Sequence, residues 1–188
     1  MVEKYDSSKK NVVIVGGGPA GLTAAKQLAA KTSSQYNIIL ITQEPYYVHK
    51  LALIRLVVAD VDDLLNQALI PYDKLAGIIH RIGTVTSIEE SAQGEGGNVI
   101  LADGERVPYA ALILATGSVW SGALAIGNTD KEIRQNVEEW RNKFRKAKHI
   151  VIVGGGAVGI GMYVLSFFVA CTDDILCRNR GRDQRYLP

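Results

Sequence analysis

The sequence predicts an α/β fold built on a parallel sheet, and three observations carry that prediction. Asn11-Val12-Val13-Ile14-Val15 is a short β-branched run that enters a glycine-rich turn, Gly16-Gly17-Gly18-Pro19-Ala20-Gly21. Good helix formers then run from Leu22 to Lys31, followed by a second apolar run, Asn37-Ile38-Ile39-Leu40-Ile41. Near the end, His149-Ile150-Val151-Ile152-Val153 enters Gly154-Gly155-Gly156-Ala157-Val158-Gly159 and repeats the opening feature almost residue for residue. Runs that are apolar throughout, rather than alternating, suit strands covered on both faces.

The elements follow in order. Residues 1–10 are polar and expected to be a flexible N-terminus. The first strand, turn, helix and second strand form a βαβ unit with a right-handed crossover, the helix ending at Thr32-Ser33-Ser34. Tyr46 to Val58 mixes apolar and basic residues and favours no element. Val61 to Ala68 reads as a short helix, Pro71-Tyr72-Asp73-Lys74 as a turn, and Gly77 to Ile88 as one or two strands. Ser91 to Gly97 is a glycine-rich loop. Asn98–Leu101 and Val107–Tyr109 flank Asp103-Gly104, the signature of a hairpin, so a small antiparallel meander is expected beside the parallel sheet. Ala110 to Leu114 is a further buried strand. Ile133, Val137, Trp140 and Phe144 recur at helical spacing within Lys131–Lys148, which predicts an amphipathic helix with Trp140 as core. His149 to Val153 is expected to be one more strand.

Composition excludes several classes. With 188 residues, the chain suits one domain plus part of another at ~150 residues per domain. A hydrophobic fraction of 47% excludes a disordered chain. The formal charge of +2 and the lack of Lys/Arg-rich runs argue against nucleic acid as a partner. Cys171 and Cys177 form no CxxC pair and have no histidine at zinc spacing, so no metal site is expected. The start, Met1 to Asp6, has no apolar core and no glycine at position 2, which favours a cytoplasmic location over mitochondrial or membrane-associated alternatives. Ile150 to Thr172 contains no charged residue, yet its glycines and its strand-and-turn pattern argue against a spanning helix and leave peripheral membrane association as the alternative. Oligomeric state is not specified.

The glycine spacing carries the chemistry. In a strand-GxGxxG-helix turn the first glycine permits the tight turn, the second lets backbone approach a pyrophosphate, and the third allows close helix–strand packing. The helix that follows aims free N–H groups and its positive end at the phosphates. Gly16, Gly18 and Gly21 fit that pattern within a complete βαβ unit, which predicts a dinucleotide site. The ribose partner is expected ~20 residues on, at the end of the second strand. Thr42 occupies that position, and Glu44, two residues further, faces the same way on an extended chain; either can serve.

Three motifs in order, Gly16-Gly17-Gly18-Pro19-Ala20-Gly21, Leu112-Ile113-Leu114-Ala115-Thr116-Gly117 and Gly154-Gly155-Gly156-Ala157-Val158-Gly159, make the chain resemble the two-dinucleotide flavoprotein reductases. It is most similar to their apoptosis-inducing-factor-like and ferroptosis-suppressor-like NADH oxidoreductases, from Asn11 to about Ile160. The resemblance implies an FAD pyrophosphate on Gly16 to Gly21, with Ala115, Thr116 and Gly117 closing over the FAD. It implies NAD(P)H at Gly154, Gly156 and Gly159, the adenine against the backbone at Val85, and Lys50 or Arg55 near the flavin or its phosphates. The implied reaction passes a hydride from NAD(P)H to the flavin and electrons onward to a quinone-like acceptor, with the flavin supplying the redox chemistry. Disulfide reductases of this group carry CxxxxC after the second strand. His49-Lys50-Leu51-Ala52-Leu53-Ile54-Arg55 holds no cysteine, so a dithiol mechanism is excluded, and His49 alone is a poor catalytic candidate.

The implied organisation is an FAD-binding domain over 11–125, the start of an NAD(P)H-binding domain over 126–160, and an atypical tail over 161–188. The fold is expected to be incomplete at the C-terminus, because the tail shows no further strand–helix alternation. Gly161-Met162-Tyr163 can be encoded with an internal GTATGT, a common intron start, so the tail is expected to depart from the native reading frame. In the oxidoreductase reading this chain is the N-terminal half and is expected to be inactive or weakly active alone. Two alternatives stand beside it: a non-catalytic dinucleotide-binding fragment or unstable truncated product, and an NAD(P)-binding regulatory protein that uses the first loop alone.

Overall fold

The structure, a computed structural model, describes residues 5–91, 94–125, 127 and 129–172, with Lys74 and residues 166–172 described by backbone alone. The readings at 1–4, at 173–188 and at Cys177 lie outside the described residues. The chain divides into two compact units: one of the residues up to Val48 with Leu69–Val119, and one of His49–Ala68 with the residues from Trp120 on.

The first unit contains β1 (Lys10–Val15), α1 (Pro19–Thr32), β2 (Tyr36–Thr42), β3 (Tyr46–Val48), β4 (Leu69–Pro71), β5 (Ile79–Ile82), β6 (Val85–Glu90), β7 (Gly97–Leu101), β8 (Arg106–Tyr109) and β9 (Ala111–Leu114). Four strands make a wholly parallel sheet in the order β5-β2-β1-β9. The strands β6, β7 and β8 form an antiparallel meander, and β3 pairs with β4. The Rossmann-type sheet and the small meander are both as expected.

Period-2 alternation sorts the apolar runs onto two faces. Val12, Ile14, Ile38 and Leu40 pack with Ala25 and Ala29 of α1 and with Tyr72 and Ile78. Val13, Val15, Ile39 and Ile41 pack instead with Ile79 and with Val99, Leu101 and Val107 of the meander. The sheet is the middle of three layers, which is why its central strands β1 and β2 are apolar on both sides. Gly21, Ala25 and Ala29, spaced by four, are the buried residues of α1 and let it lie close to the sheet. The meander turns at Asp103-Gly104, where Gly104 takes φ +89° and Asp103 Oδ1 accepts the Glu105 N–H at 2.9 Å.

The second unit is helical among its described residues: α2 (Lys50–Leu56), α3 (Leu64–Ala68), α4 (Asp130–Lys146) and α5 (Ala157–Thr172). Thr129 opens α4 with a capping box, its Oγ1 accepting the Glu132 N–H at 3.2 Å while its own N–H donates to Glu132 Oε2 at 3.3 Å. Ile133 and Val137 are buried as their spacing predicts, but Trp140 and Phe144 are only half-buried. Arg141 takes the buried place on the next turn, donating from Nε to the Leu56 carbonyl at 3.2 Å and pairing with Asp60 at 2.8 Å. That charged head satisfies the last turn of α2.

Two expectations are corrected. Ala111–Leu114 forms its strand but is not buried, with Ala111 exposed and Leu114 59% exposed at the sheet edge. His149 to Val153 forms no strand, and Val151 and Val153 are 85% and 95% exposed. A strand takes its hydrogen bonds from neighbouring strands, and the second unit has none among its described residues. Among the described residues no helix is long and apolar enough to cross a membrane.

Candidate dinucleotide-binding site

In open parallel sheets ligands bind beyond the carboxyl ends of the strands, where the strand order reverses. The chain moves outward from β1 to β2 to β5, then returns to β9 on the other side of β1, so the reversal lies between β1 and β9. The loops that leave those two strands hold Gly16 and Ala115. Gly16 donates its N–H to the Ile41 carbonyl at 2.9 Å, and Ala115 donates to the Val15 carbonyl at 2.8 Å.

Each glycine of the first loop answers a different need. Gly16 has φ +105°, and a Cβ there would overlap the carbonyl of Ala115, so the two loops meet backbone to backbone. A Cβ on Gly17 would collide with the Tyr72 hydroxyl and with Thr42 Cγ2. A Cβ on Gly21 would overlap the Gly16 carbonyl oxygen, the close packing of helix on turn. Gly18 differs: nothing lies within 4 Å of where its Cβ would be. It precedes Pro19 at the first position of α1, which has neither a side-chain cap nor an acidic residue in its first turn. The Gly18, Ala20 and Gly21 N–H groups therefore start the helix without intrahelical acceptors, and its positive end is uncompensated.

A polar relay backs this loop. Tyr72 donates its hydroxyl to the Gly17 carbonyl at 2.6 Å. Its ring lies 4.8 Å from that of His80, centroid to centroid. His80 Nε2 is 2.7 Å from Thr42 Oγ1, and Thr42 Oγ1 donates to the Glu44 carbonyl at 2.6 Å. Because the threonine hydroxyl has one proton and spends it on Glu44, His80 Nε2 is the donor and Nδ1 the bare nitrogen. Burial, then the charge of Glu44, then Tyr47 push the Tyr72 phenol up to about 12. Burial raises Glu44 above the usual carboxylate range, tempered by its own backbone N–H, and burial lowers His80.

The remaining expected residues are placed as follows. Thr116 follows Ala115 over Gly16, and Gly117 turns the chain at φ +72°. Val85 begins β6 opposite Leu101, just past Gly83, whose N–H donates to the Thr42 carbonyl at 2.8 Å. Lys50 and Arg55 are exposed on α2, in the second unit. The second glycine loop shares the turn of the first, with Gly154 at φ +107° and a Cβ on Gly159 overlapping the Gly154 carbonyl. It differs in that Cβ atoms on Gly154, Gly155 and Gly156 would all meet open space. Ile160 donates to the Gly156 carbonyl at 3.0 Å, as Leu22 does to Gly18 at 2.9 Å. The turn is built although the strand before it is not.

The sequence matches the pyridine nucleotide-disulphide oxidoreductase family over residues 10–165. The chain belongs to that family. Over 109 residues it is 39% identical to an FAD-dependent oxidoreductase of Flammulina velutipes, covering 56% of this chain and 33% of that protein. Over 156 residues it is 33% identical to apoptosis-inducing factor homolog B of Dictyostelium discoideum, covering 81% and 37%. The solved structure of a sulfide:quinone oxidoreductase from Aquifex aeolicus shares the fold at a TM-score of 0.54 and 22% identity, covering 73% of this chain and 33% of that one. The chain thus spans 33% and 37% of the lengths of these two relatives.

Proteins of the family bind FAD and NAD(P)H. The first loop fits such a group: the space at Gly18 and the uncompensated end of α1 suit a pyrophosphate. Sequence reasoning missed Tyr72 and His80. Tyr72 stands 55 residues from Gly17, and no spacing rule marks a side chain whose role depends on so distant a turn.

Proposed function

We propose that this chain binds FAD on the Gly16–Gly21 loop and forms the N-terminal part of an NAD(P)H-dependent flavoprotein oxidoreductase that reduces a quinone-like acceptor. The observation that supports it best is the division of labour among the glycines: Gly16, Gly17 and Gly21 are filled by protein, while Gly18 alone faces open space at an uncapped helix start. Gly16, Gly17, Gly18, Pro19, Ala20 and Gly21 hold the pyrophosphate. Ala115, Thr116 and Gly117 cover the cofactor, and the backbone at Val85 meets the adenine. Of the two ribose candidates, Glu44 takes the hydroxyls, since the Thr42 proton is already given to the Glu44 carbonyl. Lys50 or Arg55 serves the flavin end, and Gly154, Gly156 and Gly159 serve NAD(P)H. When bound, the flavin supplies the hydride and electron chemistry. The lack of cysteine between His49 and Arg55 leaves no dithiol relay there, which favours direct transfer to a small acceptor.

The test is the visible spectrum of the purified chain before and after anaerobic NADH. Flavin absorbance that bleaches on addition is the expected result. A colourless protein that takes up no FAD overturns the reading. A second reading, a dinucleotide-binding unit without turnover, is favoured by the Ile150–Val153 segment, which forms no strand and leaves Ile150, Val151 and Val153 exposed; it expects yellow protein that NADH does not bleach.

A further inference from the structure

The Gly17–Gly18 peptide joins two residues without side chains, and such a peptide turns over at little steric cost. Its orientation decides what a ligand meets. In a planar trans peptide the carbonyl and the N–H point in opposite directions. One orientation offers the Gly18 N–H to an anion on the open side of the loop, and the other offers the Gly17 carbonyl oxygen, which repels it.

The structure fixes the first orientation by one hydrogen bond. The Gly17 carbonyl faces inward and accepts from the Tyr72 hydroxyl at 2.6 Å. The Gly18 N–H, on the other side of the same planar peptide, then points away from the Tyr72 hydroxyl, and the Cβ position of Gly18 beside it is also open. Tyr72 is itself held: it is 5% exposed, its N–H donates to the Pro45 carbonyl at 3.2 Å, and its ring rests on His80. His80 is anchored in turn to Thr42 Oγ1 at 2.7 Å. The glycine at position 17 is explained by the same contact, since a Cβ there would collide with the phenol.

We propose that Tyr72 is a positioning residue that locks the Gly17–Gly18 peptide with its N–H toward the pyrophosphate of the bound dinucleotide, with His80 bracing the phenol. This rests on the placement of the pyrophosphate at the first loop. Tyr72 touches no phosphate in this assignment; it acts through the backbone.

The test uses the full chain and two probes, ADP and adenosine, titrated by calorimetry. Tyr72→Phe keeps the ring and removes only the hydroxyl. It is expected to weaken ADP about tenfold, the size of one lost hydrogen bond, while adenosine binds as before. In ¹⁵N–¹H spectra the Gly18 amide is expected to shift on ADP addition in the wild-type chain and much less in the variant. Equal ADP affinity in both proteins overturns the proposal, as does an equal loss for ADP and adenosine, which marks a packing role only. A wild-type chain that binds neither ADP nor FAD overturns the site itself and this role with it. Should Tyr72→Phe melt below the assay temperature, His80→Leu and His80→Gln supply the second comparison. The first is expected to weaken ADP and the second, which keeps an N–H for Thr42, to restore it; no difference between them and wild type overturns the bracing role.

Discussion

Asn37 donates from Nδ2 to Asn11 Oδ1 at 2.9 Å, at a point where the two residues are opposite partners in β1 and β2. Both are buried, at 5% and 6% exposure, and both are satisfied beyond each other. Asn37 also donates to the Asp6 carbonyl at 2.7 Å and accepts the Asp6 N–H at 3.2 Å, while Asn11 donates to the Pro108 carbonyl at 2.8 Å. The pair stitches the N-terminal segment and the end of the meander to the sheet. Asn37→Ala strands several of these groups and is expected to cost about 2 kcal/mol, read as a lower midpoint in urea unfolding. An unchanged midpoint would contradict this account.

Gly18→Ala and Gly21→Ala separate binding from folding. Gly18 has φ −66° and open surroundings, so alanine fits there without strain. The melting temperature should hold or rise slightly, by the equivalent of about 0.5 kcal/mol, while FAD and ADP bind at least tenfold more weakly because the methyl fills the phosphate's space. At Gly21 the added carbon meets the Gly16 carbonyl, so the sheet and α1 must move apart. That variant is expected to lose both stability and binding.

Glu44→Gln is expected to stabilise the ligand-free chain and weaken the ligand. Burial already raises the carboxyl above its ordinary value, so the ionised form is held against its preference. Removing the charge should lift the melting temperature at pH 7. It should also lower affinity for adenosine, while 2′,3′-dideoxyadenosine, which lacks both ribose hydroxyls, binds both proteins alike.

Acid stability should carry the signature of His80. Burial lowers it below 6.5, so the unfolded chain takes up a proton first as pH falls. The stability it contributes is full above 6.5 and declines as pH drops from there toward its folded value, then levels off. Glu44 acts in the opposite sense: its contribution is full below 4.5 and is lost as pH rises through its raised folded value. Melting temperatures recorded in a Glu44→Gln background isolate the histidine; His80→Gln should then flatten the profile just below pH 6.5.

What the sequence revealed depended on how local the signal was. The βαβ unit is legible because Val12 to Val15, the glycines and Ile38 to Ile41 state strand, turn and strand within one short stretch. The meander is legible at Asp103-Gly104 for the same reason. Tyr46 to Val58 was not, because a three-residue strand and a seven-residue helix are too short to show a period. His149 to Val153 misleads because its composition states a strand while ladder partners decide whether one forms. Arg141 was unreadable as a buried residue, since its place depends on the Leu56 carbonyl, 85 residues away.

The pairing of β3 with β4 has one more consequence. Val48 lies opposite Leu69, and the His49 N–H donates to the Ala68 carbonyl at 2.8 Å, so the excursion over residues 49–68 is tied off at a closed neck. Residues 49–68 leave and re-enter the first unit at that neck, which makes them a cassette with respect to the parallel sheet, although within the second unit they pack with the residues from Trp120 on. Excising the cassette and joining Val48 to Leu69 through a two-residue turn would leave every strand of the parallel sheet with its partners, and shortening so long a loop should relieve rather than add closure entropy. A lineage could lengthen, trade or discard residues 49–68 without redrawing the sheet that carries the glycine loop.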